Sequence, residues 1–115
     1  MLSPLRYPGA KADFARIAHE IICGSGFLGY SIVEPYCGSS SVSLALLDSG
    51  AISHATLLER DPLVYSFWKA LIHHADELVC RFQDLPIALE TWRRLRPLLT
   101  VKRPNREAIV DLRQR

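Results

Sequence analysis

The sequence predicts an α/β domain in which parallel strands alternate with helices. Residues 30–36 (YSIVEPY) and 54–58 (HATLL) are short, rich in β-branched or aromatic side chains, and typical of buried strands. A turn of small residues and an apolar segment of helical character lie between them, which is the strand, helix, strand order of a parallel unit. With 115 residues, of which 49% are hydrophobic and 23% charged, the chain has room for one compact domain and is too apolar to be disordered.

The first half of the chain gives the clearest pattern. Apolar residues at helical spacing predict an amphipathic helix over residues 12–23, and Gly24, Ser25 and Gly26 end it. The first strand follows at 30–36, and residues 37–41 form a turn of small side chains. A helix is predicted over 42–47, stopping near Gly50, and the second strand over 54–58 ends at Glu59.

The second half is predicted to be helical. Asp61 can cap a helix that has Pro62 in its first turn and continues towards Phe82. Spaced apolar residues predict a further helix over 87–99, and a last short helix is expected over 106–112, after Pro104.

Composition limits the kinds of site and partner. The three cysteines (Cys23, Cys37 and Cys80) and the four histidines (His19, His54, His73 and His74) show neither metal-ligand spacing nor an even disulfide framework, so we expect no metal site. Residues 1–92 hold ten of the twelve acids but only six of the fourteen Lys and Arg, so positive charge collects after Trp92. Such a segment suits DNA phosphates, although a solvated helix face has the same composition.

No apolar run approaches the roughly 20 residues of a membrane span, and the first residues lack the order of a signal peptide. We therefore expect a cytoplasmic protein without a membrane partner.

Two acids and one turn mark a candidate ligand site. Strand, turn, helix and a second strand ending in an acid form the opening half of a Rossmann-type sheet, which binds its ligand where the strands end. The turn after Glu34 has small residues and a helix N-terminus, but no GxGxxG, so a dinucleotide is not expected. Glu59 is placed to accept hydrogen bonds from ribose hydroxyls, or alternatively to cap its own strand.

Three segments together resemble a known family. Residues 3–11 (SPLRYPGAK), 33–40 (VEPYCGSS) and 58–62 (LERDP), in that order, are similar to the adenine-specific DNA methyltransferases of the DNA adenine methylase family. The resemblance extends to about Leu99, because the Trp92-Arg93-Arg94 segment is similar to the stretch before the family's target-recognition region.

The resemblance implies a Rossmann-like methyltransferase fold that binds S-adenosylmethionine, as in DNA methylation and restriction–modification. The aromatic ring and cation of the first loop would contact the cofactor, the turn after the first strand would lie beneath its methionine moiety, and Glu59 would hold the ribose. The cofactor contacts implied are Tyr7, Gly9, Lys11, Glu34, Tyr36, Gly38, Ser40 and Glu59. Tyr7 as an ordinary core aromatic is the alternative, and Arg93, Arg94 and Arg96 are the expected DNA contacts.

The sequence also departs from the family. The turn has serine where glycine is usual, and Glu59 stands where aspartate is common. The family methylates a flipped adenine through an Asp/Asn-Pro-Pro-Tyr/Phe segment, which is absent here, so no catalytic residue is assigned. We therefore expect residues 1–100 to be the cofactor-binding part of a truncated methyltransferase, with 101–115 as a basic tail and a separate chain as a possible source of the catalytic half. A non-catalytic cofactor- or DNA-binding module and an inactive remnant are the alternatives.

Overall fold

The computed structural model describes residues 3–6, 8–9, 11–100 and 108–113, with the backbone alone described for Ala12, Thr100 and 108–113. The described chain is mixed α/β and forms two compact units. The first contains helix α1 (Ala12–Gly24), strand β1 (Ser31–Pro35), helix α2 (Ser41–Asp48) and strands β2 (His54–Glu59) and β3 (Ala108–Arg113). The second contains helices α3 (Pro62–His73), α4 (Ala75–Gln83) and α5 (Leu89–Leu95) and a 3₁₀ helix (Arg96–Thr100).

The sheet of the first unit has the order β1-β2-β3. Strands β1 and β2 are parallel, with Glu34 opposite Leu57 and Pro35 opposite Leu58. The α2 crossover between them gives the predicted strand, helix, strand unit. Because parallel strands end at the same edge of a sheet, the last residues of β1 and β2 lie side by side.

The core of this unit follows the apolar pattern of the sequence. Leu46 of α2 and Leu57 of β2 are at most 1% exposed, and α1 packs against α2. The following side chains are also buried: Ala15, Val42, Leu44, Ala51, Ile52 and Ala55. This packing fixes α2 and β2, and with them the turn that joins β1 to α2.

Strand β3 corrects the prediction of a helix over 106–112. Residues 108–113 are extended and pair with β2 in the antiparallel direction, with Ala108 opposite Glu59. Ile109 and Val110 are β-branched, and the edge of β2 supplies backbone partners that an isolated short helix would lack. The expectation that all strands are parallel therefore holds for β1 and β2 and is wrong for β3.

The second unit shows two smaller departures from prediction. The helix predicted to run from Pro62 towards Phe82 is broken at His74, whose φ of −141° and ψ of 42° are not helical. The Asp61 carboxylate caps α3 by accepting the N–H of Leu63 at 2.8 Å, as expected. The helix predicted over 87–99 is α5 followed by the 3₁₀ helix.

Candidate functional site

Two buried acids lie at the carboxyl end of the parallel strands. Glu34 is the next-to-last residue of β1 and Glu59 ends β2, and the two residues are only 9% and 8% exposed. Acids that are withdrawn from water need hydrogen-bond donors, because an unpaired buried carboxylate is costly. Both find donors in the turn between β1 and α2 and in the first turn of α2.

The turn itself has an unusual backbone. Tyr36, Gly38 and Ser40 have φ values of 54°, 51° and 52°, in the left-handed region. Glycine adopts this conformation readily, whereas Tyr36 and Ser40 each carry a conformational strain on the order of 1–3 kcal/mol. The Ser40 N–H donates to the Cys37 carbonyl at 2.7 Å and closes the turn. A turn with two strained residues persists only where surrounding interactions hold it.

Glu59 holds the first half of this turn. Its Oε2 accepts the Gly38 N–H at 2.9 Å and the Cys37 Sγ at 3.7 Å, and the Cys37 N–H donates to the Leu58 carbonyl at 3.1 Å. Burial, followed by the negative charges of Glu59 and Glu34, raises the pKa of the Cys37 thiol to about 12. The thiol is therefore protonated at neutral pH and can donate to the carboxylate, so the end of β2 is tied to the turn after β1.

Glu34 holds the second half. Its Oε2 accepts the Ser43 N–H at 3.2 Å, the Ser43 hydroxyl, and the Ser40 hydroxyl at 3.4 Å. Ser43 lies in the first turn of α2, where backbone N–H groups lack helical partners. Glu34 thus binds β1 to the start of α2 and to the strained residue before it.

A cleft of about 220 Å³ opens between these elements. It is lined by Gly9, Lys11, Glu34, Tyr36, Cys37, Gly38, Ser39, Ser41 and Glu59, all of which belong to the first unit. Of the described lining residues, Lys11 alone carries positive charge, and Tyr36 is 74% exposed. The cleft therefore offers one ammonium group, two carboxylates, small hydroxyl side chains and an open aromatic ring to a polar ligand.

Most of the cofactor contacts predicted from the sequence lie at this cleft. Six of them line it: Gly9, Lys11, Glu34, Tyr36, Gly38 and Glu59. Ser40 is 0% exposed and does not line the cleft, so its predicted contact with a ligand is replaced by its hydrogen bond to Glu34. Tyr7 lies outside the described residues.

The predicted DNA contacts lie in the other unit. Arg93 and Arg94 are in the last turn of α5, Arg96 begins the 3₁₀ helix, and all three are exposed. The Arg96 guanidinium lies over the Trp92 ring, 4.9 Å from its centroid. The remaining part of the basic segment at 101–107 and 114–115 lies outside the described residues.

Sequence reasoning missed the role of Ser43. Nothing in a single serine of an apolar helix indicates that it binds an acid nine residues earlier, because that contact depends on how α2 packs beside β1. Cys37, Ser39 and Ser41 also line the cleft. They belong to the turn that the resemblance places beneath the methionine moiety, but they were not among the individually predicted cofactor contacts.

Comparisons with protein-family models, with curated proteins and with solved structures find no match to this chain. Within the described ranges no group of three or more His, Cys, Asp or Glu is arranged to hold a metal ion. None of the described helices is both long and apolar enough to cross a membrane.

Proposed function

We propose that this chain is the S-adenosylmethionine-binding portion of an adenine-specific DNA methyltransferase with a Rossmann-like sheet. One observation carries the proposal: residues from three separate sequence segments line one cleft at the carboxyl ends of β1 and β2. The first segment supplies Gly9 and Lys11, the second Glu34, and the third Glu59. These are the segments in which the sequence resembles the DNA adenine methylase family. Ligands of open α/β sheets bind at this end of the strands.

The chemistry of the lining residues fits the cofactor. The ribose hydroxyls and the ammonium group of S-adenosylmethionine can bind the Glu59 and Glu34 carboxylates. The carboxylate of the cofactor can pair with the Lys11 ammonium, and its adenine can stack on the exposed Tyr36 ring. Gly38 lets the backbone approach closely because no Cβ intervenes. The volume of about 220 Å³ is below the roughly 300–1,000 Å³ of most small-molecule pockets, so the described residues would hold part of the molecule.

The cofactor would supply an activated methyl group for transfer to the exocyclic amine of adenine. The chain's own residues would bind and orient it. Because the sequence contains no Asp/Asn-Pro-Pro-Tyr/Phe segment to accept the target amine, we expect no methyl transfer by this chain alone. The antiparallel β3 is a departure from the parallel first half of a Rossmann-type sheet.

Isothermal titration calorimetry with S-adenosylmethionine and S-adenosylhomocysteine tests the proposal. Glu59→Gln keeps an oxygen for the Gly38 N–H but removes the charge, and it should weaken binding by on the order of 1–3 kcal/mol because charge-assisted hydrogen bonds to the ligand disappear. Glu20→Gln is the matched control, since that acid is exposed on α1 and pairs with Arg16.

Absence of binding heat for both compounds, or equal affinities in the Glu59 and Glu20 variants, would refute the cofactor site. In a second arm, incorporation of labelled methyl groups into adenine-containing duplex DNA by the purified chain, above a protein-free blank, would contradict the expected inactivity.

A DNA-binding module without catalysis is the second candidate. It is favoured by the exposed guanidinium groups of α5 and the 3₁₀ helix, which can neutralise phosphates. Its test is the salt dependence of DNA binding.

A further inference from the structure

The hydrogen bonds between Glu34 and two serines form a network behind the cleft. Ser40 and Ser43 are both 0% exposed and neither lines the cleft, so neither can touch a ligand there. Three donors from these two residues converge on one oxygen of Glu34, which is itself 9% exposed. A buried network with its donors satisfied restricts the conformations of the groups that it joins.

The network acts on the part of the turn that carries strain. Ser40 has a φ of 52° without being glycine, and its hydroxyl is held by Glu34 at 3.4 Å. Its carbonyl accepts the Leu44 N–H at 3.0 Å, so the conformation of Ser40 sets the start of α2. If the network loosens, Ser40 can return to negative φ, which would move the neighbouring Ser39 and Ser41 that line the cleft.

We propose that Ser43 is a positioning residue for the cofactor site, acting through Glu34 on the turn between β1 and α2. This inference rests on the proposed function for its ligand, but the network belongs to the free protein. Glycine adopts the left-handed backbone conformation of this turn at no steric cost. In this chain, hydrogen bonds from Ser40 and Ser43 to the buried Glu34 stabilise the same conformation at a serine. Ser43 therefore determines what fraction of molecules have the cleft in a binding-competent shape.

The effect on affinity follows from that fraction. The apparent dissociation constant rises in inverse proportion to the population of the competent state. Removing the Ser43 hydroxyl deletes one hydrogen bond to Glu34 and leaves the Ser43 N–H and the Ser40 hydroxyl as the remaining donors. We expect Ser43→Ala to bind S-adenosylhomocysteine about 5- to 10-fold more weakly, which corresponds to the removal of roughly one hydrogen bond.

The test compares Ser43→Ala with Ser49→Ala by calorimetry with S-adenosylhomocysteine. Ser49 lies at the other end of α2, and its hydroxyl donates to the Leu46 carbonyl at 3.0 Å, so its replacement also deletes one hydrogen bond but leaves the turn alone. The Ser49 variant should bind like the wild type. Equal affinities for the two variants would overturn the positioning role.

Variants of Glu34 separate positioning from direct contact. Both substitutions, Glu34→Gln and Glu34→Ala, remove the Glu34 charge and with it any direct contact that the charge makes with the ligand. Only alanine also removes the oxygen that accepts from Ser40 and Ser43, so Glu34→Ala should bind more weakly than Glu34→Gln. Equal affinities of the two variants would count against the proposal.

Amide hydrogen exchange on the ligand-free protein provides a readout that does not depend on the cofactor. The Ser43 and Leu44 amides should exchange faster in Glu34→Ala than in wild type. The Ser43 N–H loses its acceptor, the Glu34 carboxylate. The Leu44 N–H donates to the Ser40 carbonyl, which shifts when Glu34 no longer holds the Ser40 conformation. Faster exchange together with a wild-type chain that binds no cofactor would refute the proposed function while supporting the network. Unchanged exchange in Glu34→Ala would overturn the network's role whatever the binding result.

Discussion

Replacement of Glu59 by alanine should open the cleft-forming turn. The substitution removes the acceptor shared by the Gly38 N–H at 2.9 Å and the Cys37 Sγ at 3.7 Å. A hydrogen bond to a charged group contributes about 1.5–3 kcal/mol, whereas a thiol at the longer distance adds little. Part of this loss is offset because Glu34 lines the same cleft, so the substitution also removes one of the cleft's two negative charges. We therefore expect a net loss of about 1–2 kcal/mol in the local opening free energy.

Alkylation of Cys37 measures this opening within the first unit. Cys37 is 5% exposed, so its thiol reacts only when the turn opens, while Cys23 on α1 is exposed and serves as the internal reference. A change of about 1–2 kcal/mol corresponds to roughly 5- to 30-fold faster labelling of Cys37 relative to Cys23, followed by peptide mass spectrometry. Glu59→Gln should label at an intermediate rate, because its amide oxygen can still accept the Gly38 N–H.

The Glu20→Ala variant controls for removal of an acid from the same unit. Its exposed ion pair with Arg16 contributes only about 0.3–0.5 kcal/mol, so its labelling ratio should stay near that of the wild type. Labelling of Cys37 that is no faster in Glu59→Ala than in Glu20→Ala would refute the anchoring role of Glu59. A Gln variant that labels as fast as the Ala variant would refute it as well.

Two further predictions concern pH and salt. The Cys37 thiol has its pKa raised from 9.0 to about 12 in the folded chain, so above about pH 9 the unfolded state loses a proton that the folded state keeps. The free energy of unfolding, measured with urea, should therefore fall as pH rises from about 9 towards 12. In Cys37→Ser, the unfolding free energy should lack this decrease with pH. An identical pH dependence in both chains would contradict the burial of the thiol. Simultaneous replacement of Arg93, Arg94 and Arg96 by glutamine should reduce the salt dependence of duplex-DNA binding. The slope of log K against log salt concentration should become less negative by about 0.9 for each phosphate interaction that the substitutions remove. Binding should depend little on base sequence, because phosphate contacts carry no sequence information. An unchanged slope in fluorescence anisotropy titrations would assign these arginines to a solvated helix face.

The first half of the fold could be predicted because its signals are local. The spacing of apolar residues gave α1, β1, α2 and β2 to within a few residues of their bounds, and Asp61 followed by Pro62 gave the start of α3. Local signals failed where tertiary partners decide the outcome. Residues 108–113 are extended because β2 presents an edge to pair with, and no pattern within the segment reveals that edge. The break at His74 was missed for a different reason, because the apolar pattern of the sequence continues across it.

For the site, the sequence by itself determined which chemical groups are available and in which order along the chain. An acid near the end of each of two predicted parallel strands, with a turn of small residues after the first, was enough to place Glu34 and Glu59 at one edge of a sheet. Only the tertiary structure decided which way the groups face. Ser40 was predicted to touch a ligand and instead points to Glu34, and Ser43 became part of the site through an acid nine residues away. The reason is physical: residue type and spacing fix what a backbone segment can do, whereas the partner of a buried hydroxyl or carboxylate depends on the elements that packing brings beside it.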